Sequence, residues 1–347
     1  METEHTRWMQ RCLELAAMGA SHARPNPMVG AVLVHEGRII GEGYHRRYGE
    51  AHAEVQCLAS VQEAVKGCIP FSTMYVSLEP CAHHGKTPPC ADRIVAEKIP
   101  RVVVGCRDSF AEVSGRGIAR LTEAGVEVIT GVQEAACREL NRRFFTFHEQ
   151  KRPFIVLKWA RSRDGFVALP GYKSVRISSP VTDRLVHRWR SEEAAILVGS
   201  RTAEYDDPQL TNRLWSGQDP LRIVLDRSGR LPGHLRVFQG PAPTWVFTRE
   251  VRRRKGNAEW LSVFPPQRFL EEVMGILHDR KILSVLVEGG AAVLGAFIAA
   301  GLWDEARVIT GQHYLREGLA APVLPGAVPV AEEQVGPDRI TYYRNIA

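Results

Sequence analysis

The sequence predicts an α/β protein built as two successive domains, and three observations carry that expectation. Short apolar runs alternate with helix-competent segments through both halves of the chain. All seven cysteines fall before residue 140. A charged, proline-marked break, Glu149-Gln150-Lys151-Arg152-Pro153, separates the halves and sets domains at 1–149 and 150–347. With 347 residues, 44% apolar and 24% charged, the chain has the balance of a globular protein, which excludes a disordered or fibrous class.

In the first half, Met9, Cys12, Leu13, Ala16 and Ala17 recur at helical spacing behind an acidic start, so an N-terminal helix is expected. That start lacks the basic opening and apolar core of a secretion signal, and the odd cysteine count does not suit a disulfide framework; a cytoplasmic protein is expected. The run VGAVLVHEGRIIGEG predicts a hairpin turning at Glu36-Gly37. Strands follow at 74–78, 102–105 and 126–129, each leading into a helical segment and apolar enough to be buried on both faces.

The second half predicts strands at 154–160, 194–199, 221–226, 244–248, 284–290 and 306–310. Helices fit 180–190, 269–278 and the segment after Gly290. Ser179 followed by Pro180 is a good helix entry, a capping hydroxyl with proline at the first helical position. The most apolar stretch, 282–303, is interrupted by Glu288, and its uncharged remainder falls short of the roughly 20 residues a bilayer needs, so no membrane partner is expected. Lys plus Arg exceed Asp plus Glu by 45 to 39, a net charge of +6 that suits a small anionic substrate and is too dispersed to predict nucleic-acid binding.

Two places carry chemistry. His52-Ala53-Glu54, Pro80-Cys81 and Cys90 supply one imidazole and two thiols, the donors of a catalytic zinc site that keeps a fourth position open. Zinc acidifies a water there, and Glu54, an acid that is not a ligand, can move its proton to a leaving amine. In the second half no GxGxxG or Walker loop occurs. Instead Val287-Glu288-Gly289-Gly290 reads as a strand ending in a turn that opens a helix near Ala291, a place for a cofactor diphosphate. Arg190 and Arg213 offer two guanidiniums for a phosphate, and Thr202, Asp206 and Asp207 cluster beyond a strand end.

The segments PNPMVGAVLV, GEGYH, HAEVQCL, YVSLEPCAHHGKTPPC and DSFAEVSGRG resemble the deaminase half of the bifunctional riboflavin-biosynthesis deaminase/reductases. Their His-x-Glu and Pro-Cys pattern is the signature of zinc nucleobase deaminases, although eight residues, not two, separate Cys81 from Cys90. LKWARSRDG, ISSPVTDRLVHRWR, AILVGSRTAEYDDPQLTNR, RIVLD and LVEGGAAVLGAF resemble the reductase half of the same family, so the likeness spans nearly the whole chain. It implies a cytidine-deaminase-like three-layer domain followed by a dihydrofolate-reductase-like α/β domain that uses NADPH.

Carried over residue by residue, the resemblance gives His52, Cys81 and Cys90 as zinc ligands and Glu54 as proton carrier; His84, in a slot the family commonly fills with other residues, is an alternative ligand to Cys90. Asn26, His45, His83 and Lys86 are the implied substrate contacts of the first site. In the second site it implies NADPH contacts at Ala160, Arg176, Thr202, Asp206, Ser228, Gly290, Ala291, Ala292, Val293, Leu294, Gly295 and Ala296. Substrate contacts are implied at Ser174, Arg190, Leu210, Arg213 and Glu288, with Lys158 and Asp206 handling protons. Arg176 stands where the family often has tryptophan, and Arg163 interrupts a usual Ser-Leu-Asp-Gly.

The implied reactions are hydrolytic loss of the 2-amino group from a phosphorylated diaminopyrimidine and then reduction of its ribosyl group, in a homo-oligomer, dimer or tetramer. The rival reading is a nucleobase or tRNA-adenosine deaminase with an unrelated appended domain. That reading calls for a basic, aromatic-lined surface, and Arg24, Arg46 and Arg47 are too few to make one.

Overall fold

In the computed structural model, which describes residues 2–20, 22–82, 88–110, 114–249 and 258–345, the chain divides into two units, Met1–Gln150 and Lys151–Ala347. The first unit runs α1 (Glu2–Ala17), β1 (Gly30–His35), β2 (Arg38–Tyr44), α2 (Ala53–Ala59), β3 (Thr73–Leu78), α3 (Cys90–Ala96), β4 (Arg101–Cys106), α4 (Arg116–Glu123), β5 (Glu127–Thr130), α5 (Glu134–Leu140) and α6 (Arg142–Gln150). Glu36 and Gly37 both adopt positive φ, 47° and 71°, as a two-residue hairpin turn matched to the strand twist requires.

The sheet order is β2-β1-β3-β4-β5, with β1 antiparallel to both neighbours and the rest parallel. Strand alternation sorts the apolar runs onto two faces. Ala31, Leu33, Met74, Val76, Val102 and Val104 pack against Ala53, Cys57 and Leu58 of α2, Ile94 of α3 and Leu121 of α4. On the other face Val32, Val34, Tyr75 and Val103 meet Trp8, Met9 and Cys12 of α1, Cys137 of α5 and Phe145 of α6. Burial of both faces makes this a three-layer unit. Two glycines of β2 set how close α2 lies: a Cβ on Gly41 would stand 2.6 Å from the Cys57 carbonyl oxygen, and one on Gly43 2.4 Å from the Cys57 nitrogen.

The second unit holds β6 (Phe154–Arg161), β7 (Phe166–Ala168), α7 (Pro180–Glu192), β8 (Ala195–Gly199), α8 (Ser200–Tyr205), β9 (Leu221–Leu225), β10 (Thr244–Thr248), β11 (Ala258–Ser262), α9 (Phe269–Asp279), β12 (Ser284–Val287), α10 (Ala291–Ala299), β13 (Glu305–Thr310), β14 (Leu319–Ala320), β15 (Pro329–Val335) and β16 (Asp338–Arg344). Nine strands form one sheet, β11-β10-β9-β8-β12-β6-β13-β16-β15, parallel through β13 and antiparallel beyond it; β7 and β14 make a separate ribbon. One face buries Leu157, Leu197, Ile223, Phe247 and Val285 under α9 and α10. The opposite face buries Val156, Leu286 and Ile309 under Val186 and Trp189 of α7. Ser179 caps α7 through its hydroxyl, with Pro180 in the first turn.

Several elements depart from the sequence expectation. The strand expected over 284–290 ends at Val287: the Glu288 N–H still donates to the Leu197 carbonyl of β8 at 2.9 Å, and Gly289-Gly290 then turn into α10. Strands β11, β15 and β16, the β7–β14 ribbon and α8 carried no prediction. β15 is exposed along nearly its whole length, so it has no apolar alternation to reveal it. No helix among the described residues is long and apolar enough to cross a membrane.

Candidate active sites

His52 stands at the N-terminal boundary of α2, Cys90 opens α3, and Cys81 follows β3 on the short connection Glu79-Pro80. The ligand atoms of these three residues all lie within 4.8 Å of one another, the one such group among the described residues. His52 Nδ1 is 3.5 Å from Cys81 Sγ and 3.4 Å from Cys90 Sγ, and the Cys90 N–H donates to Cys81 Sγ at 3.3 Å. One imidazole nitrogen and two sulfurs converging on a point are the donor set that zinc takes.

Hydrogen bonds couple the protonation of the three donors. Hydrogen bonding to Cys90, and then to His52, holds the Cys81 thiol well below the ordinary thiol range against the opposing effect of burial. The Cys81 hydrogen bond raises His52 to about 8. Glu54, in the first turn of α2 and only 3% exposed, has its carboxyl pushed up by burial, with His52 working the other way; it also hydrogen-bonds Cys90. A buried acid that is not a ligand and readily keeps a proton therefore adjoins the metal-donor atoms.

Two of the expected substrate residues adjoin this group. Asn26 Nδ2 donates to His45 Nε2 at 3.1 Å, while His45 Nδ1–H donates to the Ala51 carbonyl at 3.3 Å. The His45 ring stands edge-on to that of His52, 5.4 Å between centroids, and burial lowers its pKa so that it stays neutral. His83, His84 and Lys86 lie outside the described residues.

Sequence reasoning took Glu54 as the one acid of this motif and missed Glu79, directly before Pro80-Cys81. Its buried carboxylate accepts from the backbone N–H groups of Asp108 and Gly115 at 3.3 and 3.1 Å, and of Gly117 and Ile118 at 3.0 and 3.2 Å. Those bonds tie Asp108 and the start of α4 to the end of β3. Partners that are main-chain amides leave no mark in the sequence, so only the position of an acid between an apolar strand and Pro-Cys could have drawn notice.

In the second unit one cavity of about 1430 Å³ opens at the carboxyl ends of β6, β8, β9 and β12. Lys158, Ala160, Ser174, Arg176, Arg190, Thr202, Asp206, Leu210, Ser228, Glu288, Gly290, Ala291, Ala292, Val293, Leu294 and Ala296 all line it. The volume exceeds the roughly 300–1,000 Å³ of an ordinary small-molecule pocket.

Glu288 forms the charged centre of the wall. Arg190 grips it with two hydrogen bonds, Nε at 2.8 Å and Nη2 at 2.9 Å, and Lys158 Nζ approaches at 3.5 Å. Burial alone would raise the carboxyl, yet Arg190 and then Lys158 outweigh it and hold Glu288 down to about 2. Thr202 Oγ1 accepts from the Gly290 N–H at 2.7 Å, joining α8 to the turn before α10. Arg230 Nε donates to Ser228 Oγ at 3.0 Å, and Arg227 and Arg249 line the same end.

Three of the expected residues stand apart from the others. The pair of guanidiniums offered to a phosphate is not a free pair, because Arg190 is engaged by Glu288 and by the Thr211 carbonyl at 3.2 Å. Arg213 is not on the cavity wall: it is exposed, its Nη1 on Thr211 Oγ1 at 2.9 Å, while its main-chain N–H donates to His187 Nδ1 at 2.9 Å. Gly295, in the second turn of α10, is not among the residues that line the cavity. Arg176, the departure from the family pattern, reaches the cavity but turns its guanidinium to Asp183 at 2.5 Å.

Comparison with known proteins agrees with this architecture. Residues 2–106 match the cytidine and deoxycytidylate deaminase zinc-binding region, and residues 153–315 match the RibD C-terminal domain. The chain is 39% identical to riboflavin biosynthesis protein RibD of Aquifex aeolicus, over 90% of this chain and 88% of that protein. The chain belongs to the RibD family. It is also 37% identical to the Escherichia coli RibD protein, over 95% and 96% of the two chains. The crystal structure of a diaminohydroxyphosphoribosylaminopyrimidine deaminase/5-amino-6-(5-phosphoribosylamino)uracil reductase from Thermotoga maritima superposes with a TM-score of 0.91 at 36% identity, covering 99% of each chain. Acinetobacter baumannii RibD gives 0.89 at 32%, again over 99% of each. As a RibD, the chain is a bifunctional deaminase and reductase of riboflavin biosynthesis, one activity in each unit.

Proposed function

We propose that the first unit removes the 2-amino group of 2,5-diamino-6-(5-phosphoribosylamino)pyrimidin-4(3H)-one by hydrolysis, and that the second then reduces the ribosyl group to ribityl with NADPH. The observation that carries the reading is the convergence of His52, Cys81 and Cys90 beside the buried carboxyl of Glu54. These three residues would hold zinc, which when bound supplies the Lewis acidity that brings a water's pKa into the neutral range. Glu54 takes the proton of that water and returns it to the departing ammonia, a role that needs an acid able to hold a proton near neutrality. Neutral His45, aligned by Ala51, orients Asn26 toward the pyrimidine. The balance is one water consumed and one ammonia released.

In the second unit the turn at Gly290 and the first turn of α10, with Thr202 and Ser228, would bind NADPH, which supplies the reducing equivalent when bound. The ribosylamine is reduced in its open-chain imine form. Glu288 fixes Arg190 and Lys158 on the substrate side of the cavity, and Lys158 and Asp206 are the candidates for handling the one proton that accompanies the hydride. Both steps act on a diffusible phosphorylated pyrimidine, which the net positive charge attracts; the setting is the cytoplasm.

The test supplies the diaminopyrimidine ribotide with and without NADPH and follows ammonia and NADPH separately. Glu54→Gln should keep its zinc and lose ammonia release by about 10²- to 10⁴-fold, while still oxidising NADPH when given the deaminated compound. A Glu54→Gln protein that deaminates at the wild-type rate refutes the assignment.

A further inference from the structure

The largest fully buried side chain among the described residues is an arginine. Arg222, in β9, is 1% exposed. Its hydrogen bonds all go to main-chain carbonyls: Gln239 at 2.9 Å, Ala242, and at 3.4 Å both Gln209 and Arg236. One cation thus joins the loop after α8 to the segment that precedes β10. An aliphatic side chain would fill the same place in a parallel strand without the penalty of burying a guanidinium that has no carboxylate on it.

What that cation holds is a wall of the reductase cavity. Asp206, Pro208 and Leu210 line the cavity. Asp207 and Leu210 flank the clamped Gln209 region with φ of 38° and 56°, left-handed values that non-glycine residues adopt only where surroundings over-determine them. A second tie lies alongside: the Asp207 carboxylate accepts from the Arg236 N–H at 2.6 Å and from its Nε at 3.1 Å. Further along the loop, the Asn212 N–H donates to Asp219 at 2.6 Å. A short, strained loop, tied at its base to one buried side chain, presents side chains to the cavity.

We propose that Arg222 is a positioning residue of the reductase: anchored on the carbonyls of Arg236, Gln239 and Ala242, it reaches the Gln209 carbonyl and, with the Asp207–Arg236 tie alongside, holds the 206–210 loop in the left-handed conformation that sets Asp206 and Leu210 on the cavity wall. It touches neither ligand and acts through that loop. The inference rests on the reading of this cavity as the reductase site.

The test uses the full chain carrying Arg222→Met or Arg222→Lys, with the deaminase as internal control. The expected result for Arg222→Met is a rise of about 10- to 100-fold in KM for the deaminated substrate with a smaller change in kcat, since a wall displaced by about 1 Å misplaces the bound substrate. Arg222→Lys, which keeps a donor near some of the carbonyls, should recover part of that loss. Ammonia release should stay at the wild-type rate. Hydrogen exchange should speed at the Asn212 and Arg213 amides and not in β8. The proposal is overturned by a folded Arg222→Met protein with wild-type KM and wild-type exchange in the loop, or by a loss of kcat that only tracks the fraction unfolded. If Arg222→Met does not fold, the same readings on Arg222→Lys decide. A wild-type chain that binds no NADPH overturns the reading of the cavity instead, so the two failures are distinguishable.

Discussion

Replacing Glu288 by glutamine tests how the reductase wall is held together. The carboxyl lies at about 2, against 4.5 for an ordinary glutamate, although burial by itself would move it the other way; Arg190 and then Lys158 reverse the effect. At about 1.4 kcal/mol per pH unit that depression corresponds to about 3 kcal/mol of folding stability. A second route gives a similar size: removing one member of a buried ion pair costs about 3–5 kcal/mol, because the partners keep their charge without compensation, and here Arg190 and Lys158 are 12% and 14% exposed. The sign follows from the folded pKa being the lower one. The stabilisation is complete above about 4.5, the unfolded value, and is lost as pH falls toward about 2. Urea unfolding read by the fluorescence of Trp159 and Trp189 should therefore show Glu288→Gln about 3 kcal/mol less stable at pH 7, with the gap to wild type closing through the acid window. Equal stability at pH 7, or a gap that stays constant down to pH 2, would show that the three charges do not hold the wall.

Three further outcomes concern the first site. Gly117→Ala should destabilise the deaminase unit by about 1–3 kcal/mol and lower its zinc content, because the new Cβ would stand 1.9 Å from the Pro80 carbonyl oxygen, one residue before Cys81; thermal unfolding with metal analysis checks it, and wild-type stability with full zinc contradicts it. In chelator-treated protein, ammonia release should stop while NADPH binding persists. Alkylation at pH 6 should then reach Cys81 well before Cys12 or Cys57, since Cys90 and His52 hold the Cys81 thiol down while burial pushes the other two up; equal rates by peptide mass mapping would refute that.

How far the chain could be read without coordinates depended on where each residue's partners lie. The metal donors were legible because zinc accepts few residue types, and His52, Cys81 and Cys90 each sit at or next to the end of a regular element that the sequence marks. The cavity residues were legible as types, since glycines, arginines and acids gather at predicted strand ends. Their pairing was not: Arg190 meets Glu288 across 98 positions, a contact created by the order β8-β12-β6 in the sheet. Glu79 and Arg222 escaped notice for a shared reason, that both bond to main-chain groups, which every residue carries. The β15–β16 hairpin escaped for another, its outer strand being polar and exposed.

The two buried carboxyls show how one residue type is assigned opposite tasks by its surroundings. Glu54 is buried with one imidazole nearby, and burial prevails, so it readily carries a proton. Glu288, less enclosed because it lines the cavity, meets a bidentate guanidinium and an ammonium, and the cations prevail, so it stays ionised at any pH at which the enzyme works. A carboxylate that does not protonate cannot donate to the reduced sugar. On the function proposed above, its part is to orient Arg190 and Lys158. If so, Glu288→Gln should weaken substrate binding through misplaced cations more than it alters the dependence of the reductase rate on pH. A new ionisation in the pH profile of kcat for Glu288→Gln would instead place Glu288 on the proton path.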